Sequence, residues 1–221
     1  DVVQLPINIF NNSFLTSKIL DKIKKKNIEI HARSIFFQGL IFIDPNNLNS
    51  YFNKVTTKDI FPSSHHSFRH RCEFSVLKSE HGIKYSMIKD KERVEIDKYP
   101  ICSESIQELM KELLKIVNQE EVLYRKLFQI EFQSSRAKEV MVSLIYHKKL
   151  GPDWIEKVNL IKDNLKCSII GRSKKQKLII GQDYVTEEYK SIYQSFKLNL
   201  YEQCFSQTTP DICDQIINWV E

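Results

Sequence analysis

Basic side chains are concentrated in four short clusters whose chemistry suits phosphate groups. The clusters are KIKKK at Lys22–Lys26, RHR at Arg69–Arg71, YHKK at Tyr146–Lys149 and RSKKQK at Arg172–Lys177. Long cationic side chains follow a nucleic-acid backbone by contacting its phosphates. One such cluster is typical of a solvated surface. Four of them favour an RNA or DNA partner, although the net charge is only 33 − 28 = +5.

The sequence contains no pattern typical of a metal site or of a glycine-rich loop that binds nucleotide phosphates. The five cysteines are odd in number and contain no C-x-x-C pair, which excludes zinc-ribbon and iron–sulfur spacings. We expect no metal site, and we interpret the cysteines as reduced, mostly buried thiols of a cytosolic protein. The five glycines are widely separated, so these 221 residues contain no glycine-rich phosphate loop.

No segment suggests a membrane or secreted protein. The longest apolar runs, such as Leu40–Ile43, are far shorter than the roughly eighteen residues that cross a bilayer. No charged start followed by an apolar core resembles a signal peptide. We therefore expect a cytoplasmic protein without a membrane partner.

The elements that must position the basic clusters alternate between strands and helices. Short runs rich in apolar residues predict strands at 68–78, 83–88, 93–96, 127–133, 139–147, 168–171 and 177–180. Ser105 and Glu108 fit a capping box, which predicts a helix there. Pro152, after Gly151, predicts the first turn of a second helix, and a third runs from about Pro210. Hairpin-linked strands with inserted helices indicate an α+β fold, an antiparallel sheet with helices packed on it.

Five stretches in this order and spacing resemble bacterial tRNA (uracil-5-)-methyltransferases, over roughly residues 45–221. They are RHRCEF (69–74), KLFQIEF (126–132), VSLIYHKKL (142–150), IIGRSKKQKLIIGQDYV (169–185) and CFSQ (204–207). Enzymes of this family join an N-terminal RNA-binding α+β region to a Rossmann-like domain that binds S-adenosylmethionine. The resemblance implies that this chain stops at their junction.

Three segments follow from that resemblance. Residues 1–44 are an unassigned N-terminal segment with a short basic amphipathic helix, and residues 45–203 are the RNA-binding α+β domain. Residues 204–221 are a linker and the first helix leading into the absent S-adenosylmethionine-binding domain. The family's cysteine nucleophile and general base belong to that absent domain, so no catalytic residue is expected here.

One position matches the family's cofactor and substrate site. Gln207 stands in Phe205-Ser206-Gln207-Thr208-Thr209, where the family usually has Phe-Thr-Gln-Pro-Asn. The resemblance makes Gln207 a cofactor-binding candidate, although the Pro-Asn pair is missing. Thr208 or Thr209 can alternatively cap the last helix.

Aromatic and basic residues beside the strands are the candidates for RNA binding. Phe128 matches an aromatic that stacks among the bases of the tRNA T-loop, but Phe128, Ile130 and Phe132 also alternate as core residues of a strand would. His147 can stack or contact phosphate, or it can be a plain surface histidine. The expected phosphate-binding cations are Lys148, Lys149, Arg172, Lys174, Lys175, Arg69 and Arg71.

Two functions remain open at this stage. The first is the tRNA-binding portion of an S-adenosylmethionine-dependent enzyme that forms 5-methyluridine in the T-loop, with the tRNA T-arm as partner. This monomeric chain is then inactive alone. The second is a free-standing tRNA-binding or tRNA-folding module derived from that enzyme. The related ribosomal RNA branch usually has an added β-barrel and a four-cysteine cluster, and neither is visible.

Overall fold

The computed structural model describes residues 2–6, 19–26, 29–33, 61–80 and 82–220, and the chain divides into two units. In the first unit, residues 1–61, strand β1 (Val2–Pro6) pairs in parallel with β2 (Glu29–Arg33). Helix α1 (Ile19–Lys24) lies between them in the sequence. The short helix predicted for this segment is therefore present, with Leu20 half-buried and Lys22 exposed.

The second unit, residues 62–221, is built on a seven-stranded sheet. Its strands are β3 (Arg71–Ser79), β4 (Gly82–Lys89), β5 (Glu92–Ile96), β6 (Leu127–Ser134), β7 (Val140–Tyr146), β8 (Ser168–Ser173) and β9 (Gln176–Ile180). Their order across the sheet is β5-β4-β3-β6-β7-β8-β9. All neighbours are antiparallel except β7 and β8, which are parallel.

Helices cover one face of this sheet. They are α2 (Glu104–Val117), α3 (Glu121–Tyr124) and α4 (Pro152–Leu165). Because alternate residues of a strand face opposite sides, Val142 and Ile169 enter the core under these helices, together with Leu113 of α2 and Trp154 of α4. Helix α4 also forms the crossover that a parallel pair such as β7 and β8 requires.

A separate hairpin lies against the opposite face. It consists of β10 (Tyr184–Lys190) and β11 (Ser195–Tyr201), and the last helix α5 (Pro210–Val220) follows it. Met141 and Ile170, which point away from the helices, pack with Val185 of the hairpin in a second small core. The hairpin therefore fixes the chain that leads from the sheet into α5.

The α+β class and the antiparallel sheet with packed helices are confirmed. The capping box was wrong: Ser103, in extended conformation, caps α2 and accepts a hydrogen bond from Ile106 N (3.4 Å), so Ser105 already lies inside the helix. The hairpin β10–β11 and the one-turn helix α3 were not predicted. Gly151 and Pro152 do open α4, with Gly151 at its N-cap.

Candidate functional site

Phe128 and His147 form a parallel ring stack at one end of the sheet. Their centroids are 3.8 Å apart and the ring planes differ by 8°. The register of β6 against β7 passes from Leu127–Tyr146 to Gln129–Ile145, so Phe128 occupies a β-bulge. The bulge removes Phe128 from the alternation of buried residues and leaves it half-buried. The alternative that Phe128 is a core residue is thus contradicted, because Leu127 fills that position instead.

An open cleft of about 790 Å³ surrounds this ring pair. It brings together seven of the nine residues predicted to bind RNA, all but Arg69 and Arg71. The lining residues are Phe128, Ile145, Tyr146, His147, Lys148, Lys149, Arg172, Ser173, Lys174, Lys175, Gln176 and Gln203. The cleft thus combines a stacked aromatic pair with cations from two separate stretches of chain.

Hydrogen bonds tie the two basic segments of the cleft together. Gln176 accepts from Leu150 N through Oε1 and donates to Leu150 O through Nε2, both at 2.9 Å. Ser173 Oγ donates to the carbonyl of Lys148. The turn between β8 and β9, with exposed Lys174 and Lys175, is therefore held beside the segment that follows β7. Such a fixed arrangement lowers the ordering cost of binding a ligand.

The neighbouring lysines Lys148 and Lys149 differ in their surroundings. Lys148 Nζ donates to the carbonyl of Val122 (2.7 Å) and lies 5.6 Å from the ring centroid of Tyr146. Burial lowers the pKa of Lys148 from its ordinary value. Lys149 is exposed. Lys149 is therefore the better placed of the two for a phosphate contact, although the sequence treats them alike.

This difference predicts unequal effects of alanine substitutions on RNA binding. We expect Lys149→Ala to reduce the slope of log affinity against log salt by about one contact. Lys148→Ala should change that slope less and should lower the free energy of unfolding, because it removes a hydrogen bond and packing on Tyr146. Salt titrations and denaturant unfolding of both variants check this, and equal slope changes would contradict it.

Arg69 and Arg71 lie outside the cleft. Strand β3 begins only at Arg71, so the two arginines do not share a strand as the sequence suggested. Arg69 Nε donates to the carbonyl of Arg71 (2.9 Å), and Arg71 Nη1 donates to that of Cys204. These contacts hold neighbouring segments against the start of β3, and the RNA-binding role of the two arginines remains a prediction.

Gln207 lies on a segment docked beside the start of β3. The segment is held by Arg71 at Cys204 and by a hydrogen bond from His70 N to Thr208 O (2.6 Å). Gln207 is half-buried and is not among the residues that line the cleft. One side-chain amide cannot enclose a cofactor of nucleoside size. The described residues therefore do not by themselves fit S-adenosylmethionine.

The cysteines include no activated thiol in the core. Cys72, Cys102 and Cys167 are buried as predicted, whereas Cys204 is exposed and Cys213 is partly buried. Burial raises the pKa of Cys167 to about 12, and the adjacent Cys102 together with burial also raises the pKa of Cys72. Protonated thiols are weak nucleophiles, which agrees with a structural role for these two cysteines.

The described residues contain neither a cluster of metal ligands nor a membrane-spanning helix. Among them, no group of three or more His, Cys, Asp or Glu side chains is arranged to hold a metal ion. Within the same part of the chain, no helix is long and apolar enough to span a membrane.

Sequence reasoning missed one side of the cleft. Gln203 lines it at the turn that ends β11, where Cys204 N donates to Tyr201 O (3.1 Å) and Gln203 has a φ of 63°. Because β11 itself was not predicted, no sequence signal placed this turn near Phe128. The nearby buried Glu202 was missed for the same reason.

The protein is thus of the α+β class, and a cleft lined by basic side chains and a stacked aromatic pair lies at one end of its sheet. The family model described as tRNA (Uracil-5-)-methyltransferase matches residues 44–221. The chain belongs to the tRNA (uracil-5-)-methyltransferase family.

Curated relatives are similar over most of this chain. A tRNA/tmRNA (uracil-C(5))-methyltransferase of Wolinella succinogenes is 38% identical over 173 residues, which cover 76% of this chain and 47% of the relative. One from Acinetobacter baumannii (strain ACICU) is 33% identical over 180 residues, covering 78% and 50%. The chain thus spans about half the length of these relatives.

A solved structure shares the fold. The crystal structure of Pyrococcus abyssi tRNA (uracil-54, C5)-methyltransferase in complex with S-adenosyl-L-homocysteine superposes with a TM-score of 0.52 at 16% identity. The match covers 71% of this chain and 40% of that chain.

Proposed function

We propose that this chain is the tRNA-binding portion of an S-adenosylmethionine-dependent tRNA (uracil-5-)-methyltransferase, and that its cleft binds the T-arm of tRNA in the cytoplasm. The observation that carries the proposal is the Phe128–His147 stack inside a cleft lined by five cationic side chains. Proteins recognise RNA loops by stacking unpaired bases on aromatic rings while cations hold the phosphates. The cleft offers both kinds of contact within one surface.

The same geometry suits an enzyme that must take a uridine out of its stack. Base flipping requires that the remaining loop bases be held in an altered arrangement. A base that packs on an outer ring face of the Phe128–His147 pair would extend the stack. The residues of this chain contribute RNA binding and orientation, and Gln207 remains the candidate for contact with the cofactor.

Binding to a T-arm hairpin is expected to be weak and sensitive to salt. If about four of the cleft cations contact phosphates, log affinity should fall with log salt along a slope near −3 to −4, at roughly 0.7 to 0.9 per contact. Fluorescence anisotropy of a labelled hairpin at several salt concentrations measures this slope. A blunt-ended RNA duplex with the same number of nucleotides is the control, and it should bind less tightly because it offers no unpaired base. Salt-independent affinity would argue against the cleft as the RNA surface.

The chain alone is expected to transfer no methyl group. No residue here is assigned as nucleophile or general base, and the chain spans about half of its curated relatives. Incubation with unmodified tRNA and methyl-labelled S-adenosylmethionine should leave the tRNA unlabelled. Stoichiometric labelling of uracil C5 would overturn this expectation. The second candidate, a free-standing tRNA-binding or folding module, shares the inactivity but predicts annealing of unfolded tRNA by this chain alone.

A further inference from the structure

Glu202 is a buried carboxylate placed directly behind the cleft. Its side chain is 3% exposed and lies between two cations, with Oε1 at 3.1 Å from Arg172 Nε and Oε2 at 3.3 Å from Lys177 Nζ. Ser143 Oγ donates a hydrogen bond to Oε1 (3.3 Å), and the backbone N of Glu202 donates to Asp183 O (2.7 Å). The carboxylate is thus fixed by side chains of β7, β8 and β9, and its backbone is held by the loop before β10.

The contact between Glu202 and Arg172 is mainly electrostatic. Arg172 Nε and Glu202 Oε1 lie 3.1 Å apart without the alignment of a hydrogen bond, so the attraction between opposite charges holds the guanidinium. Charge attraction is strong at a site so shielded from water. The contact engages Nε, on the inner edge of a guanidinium whose residue lines the cleft. The two terminal nitrogens can still form paired contacts with phosphate oxygens.

We propose that Glu202 is a positioning residue, which holds the guanidinium of Arg172 ready for a phosphate or base of RNA bound in the cleft. This inference rests on the proposed RNA-binding function. A flexible arginine loses rotamer freedom when it binds RNA, whereas one already held by Glu202 loses less. Glu202 therefore strengthens RNA binding although its own charge repels phosphate.

The two possible roles of Glu202 predict opposite changes in RNA affinity for the same substitution. If Glu202 acts only as a negative charge near the RNA, Glu202→Gln removes repulsion and tightens binding. If Glu202 positions Arg172, Glu202→Gln weakens binding by about 3- to 10-fold, the order of the ordering cost of one long side chain. The same substitution in an Arg172→Gln background should then cause no weakening, because the group that it positions is gone.

The experiment measures affinity for the T-arm hairpin by anisotropy for wild type, both single variants and the double variant. Glu187→Gln is the matched control, because Glu187 is also a buried carboxylate paired with an arginine, Arg136, at 2.9 Å but does not line the cleft. It should leave affinity unchanged. Thermal unfolding of every variant shows whether it is folded.

Glu202→Asp keeps the test decisive if the glutamine variant fails to fold. This substitution retains the buried charge but shortens the side chain by one methylene. A positioning role therefore predicts weaker RNA binding, whereas a pure charge role predicts unchanged RNA binding. Unchanged or tighter binding by the folded Glu202 variants would overturn the inference, as would equal weakening in the Arg172→Gln background or by Glu187→Gln. If wild type itself does not bind the hairpin, the proposed function fails instead.

Discussion

Replacing Trp154 with alanine should lower the free energy of unfolding by about 3 to 5 kcal/mol. Trp154 is fully buried, and its Nε1 donates to Tyr146 Oη (2.9 Å), which in turn donates to Leu123 O (2.7 Å). A Cβ at Gly171 would come within 2.4 Å of the Trp154 ring, which shows how closely β8 approaches helix α4. The substitution therefore opens a large cavity and leaves the buried Tyr146 hydroxyl without a donor.

Denaturant unfolding measures this loss as a lower midpoint at an unchanged slope. Leu160→Ala in the same helix is the control, because Leu160 is 63% exposed and its truncation should change stability by less than about 0.5 kcal/mol. Equal effects of the two substitutions would contradict the packing described here. Tyr146 directly precedes His147, so we also expect the tryptophan variant to loosen the cleft.

Replacing Phe128 with alanine should weaken binding to the T-arm hairpin by about 1 to 3 kcal/mol, which is the usual contribution of one base–aromatic stack. The salt slope should stay unchanged, because no charge is removed. The free energy of unfolding should fall by much less than the 3 to 5 kcal/mol expected for a buried phenylalanine such as Phe132. The reason is that the bulge leaves Phe128 half-buried against His147 rather than in the core.

RNA affinity and the denaturant midpoint must be measured on the same variant. Tyr193→Ala is a suitable control, because Tyr193 is an exposed aromatic (75%) that does not line the cleft, and it should leave affinity unchanged. A loss of stability as large as that of Phe132→Ala would indicate that Phe128 is a core residue. Unchanged RNA affinity in a stable Phe128→Ala variant would remove the stacking role.

Local sequence patterns predicted most of the sheet and both long internal helices. The seven strands of the main sheet were predicted with small boundary errors, because alternating burial and turn residues act over only a few neighbouring positions. The Ser103 cap was missed because Ser105 and Glu108 offered a competing pattern two residues later. The hairpin β10–β11 was missed because polar residues such as Thr186 and Glu188 interrupt its apolar pattern, and it is stabilised by packing on Met141 and Ile170.

Residue types and the family resemblance identified seven lining residues of the cleft from the sequence alone. This was possible because the aromatic or cationic character of a side chain follows from its residue type. Only the tertiary structure decided which of them meet. The bulge at Phe128 depends on the register between β6 and β7, and the separation of Lys148 from Lys149 depends on a carbonyl of α3 that is 26 residues away. Glu202 was placed against Arg172 by the packing of the β10–β11 hairpin on the main sheet, which no local pattern encodes.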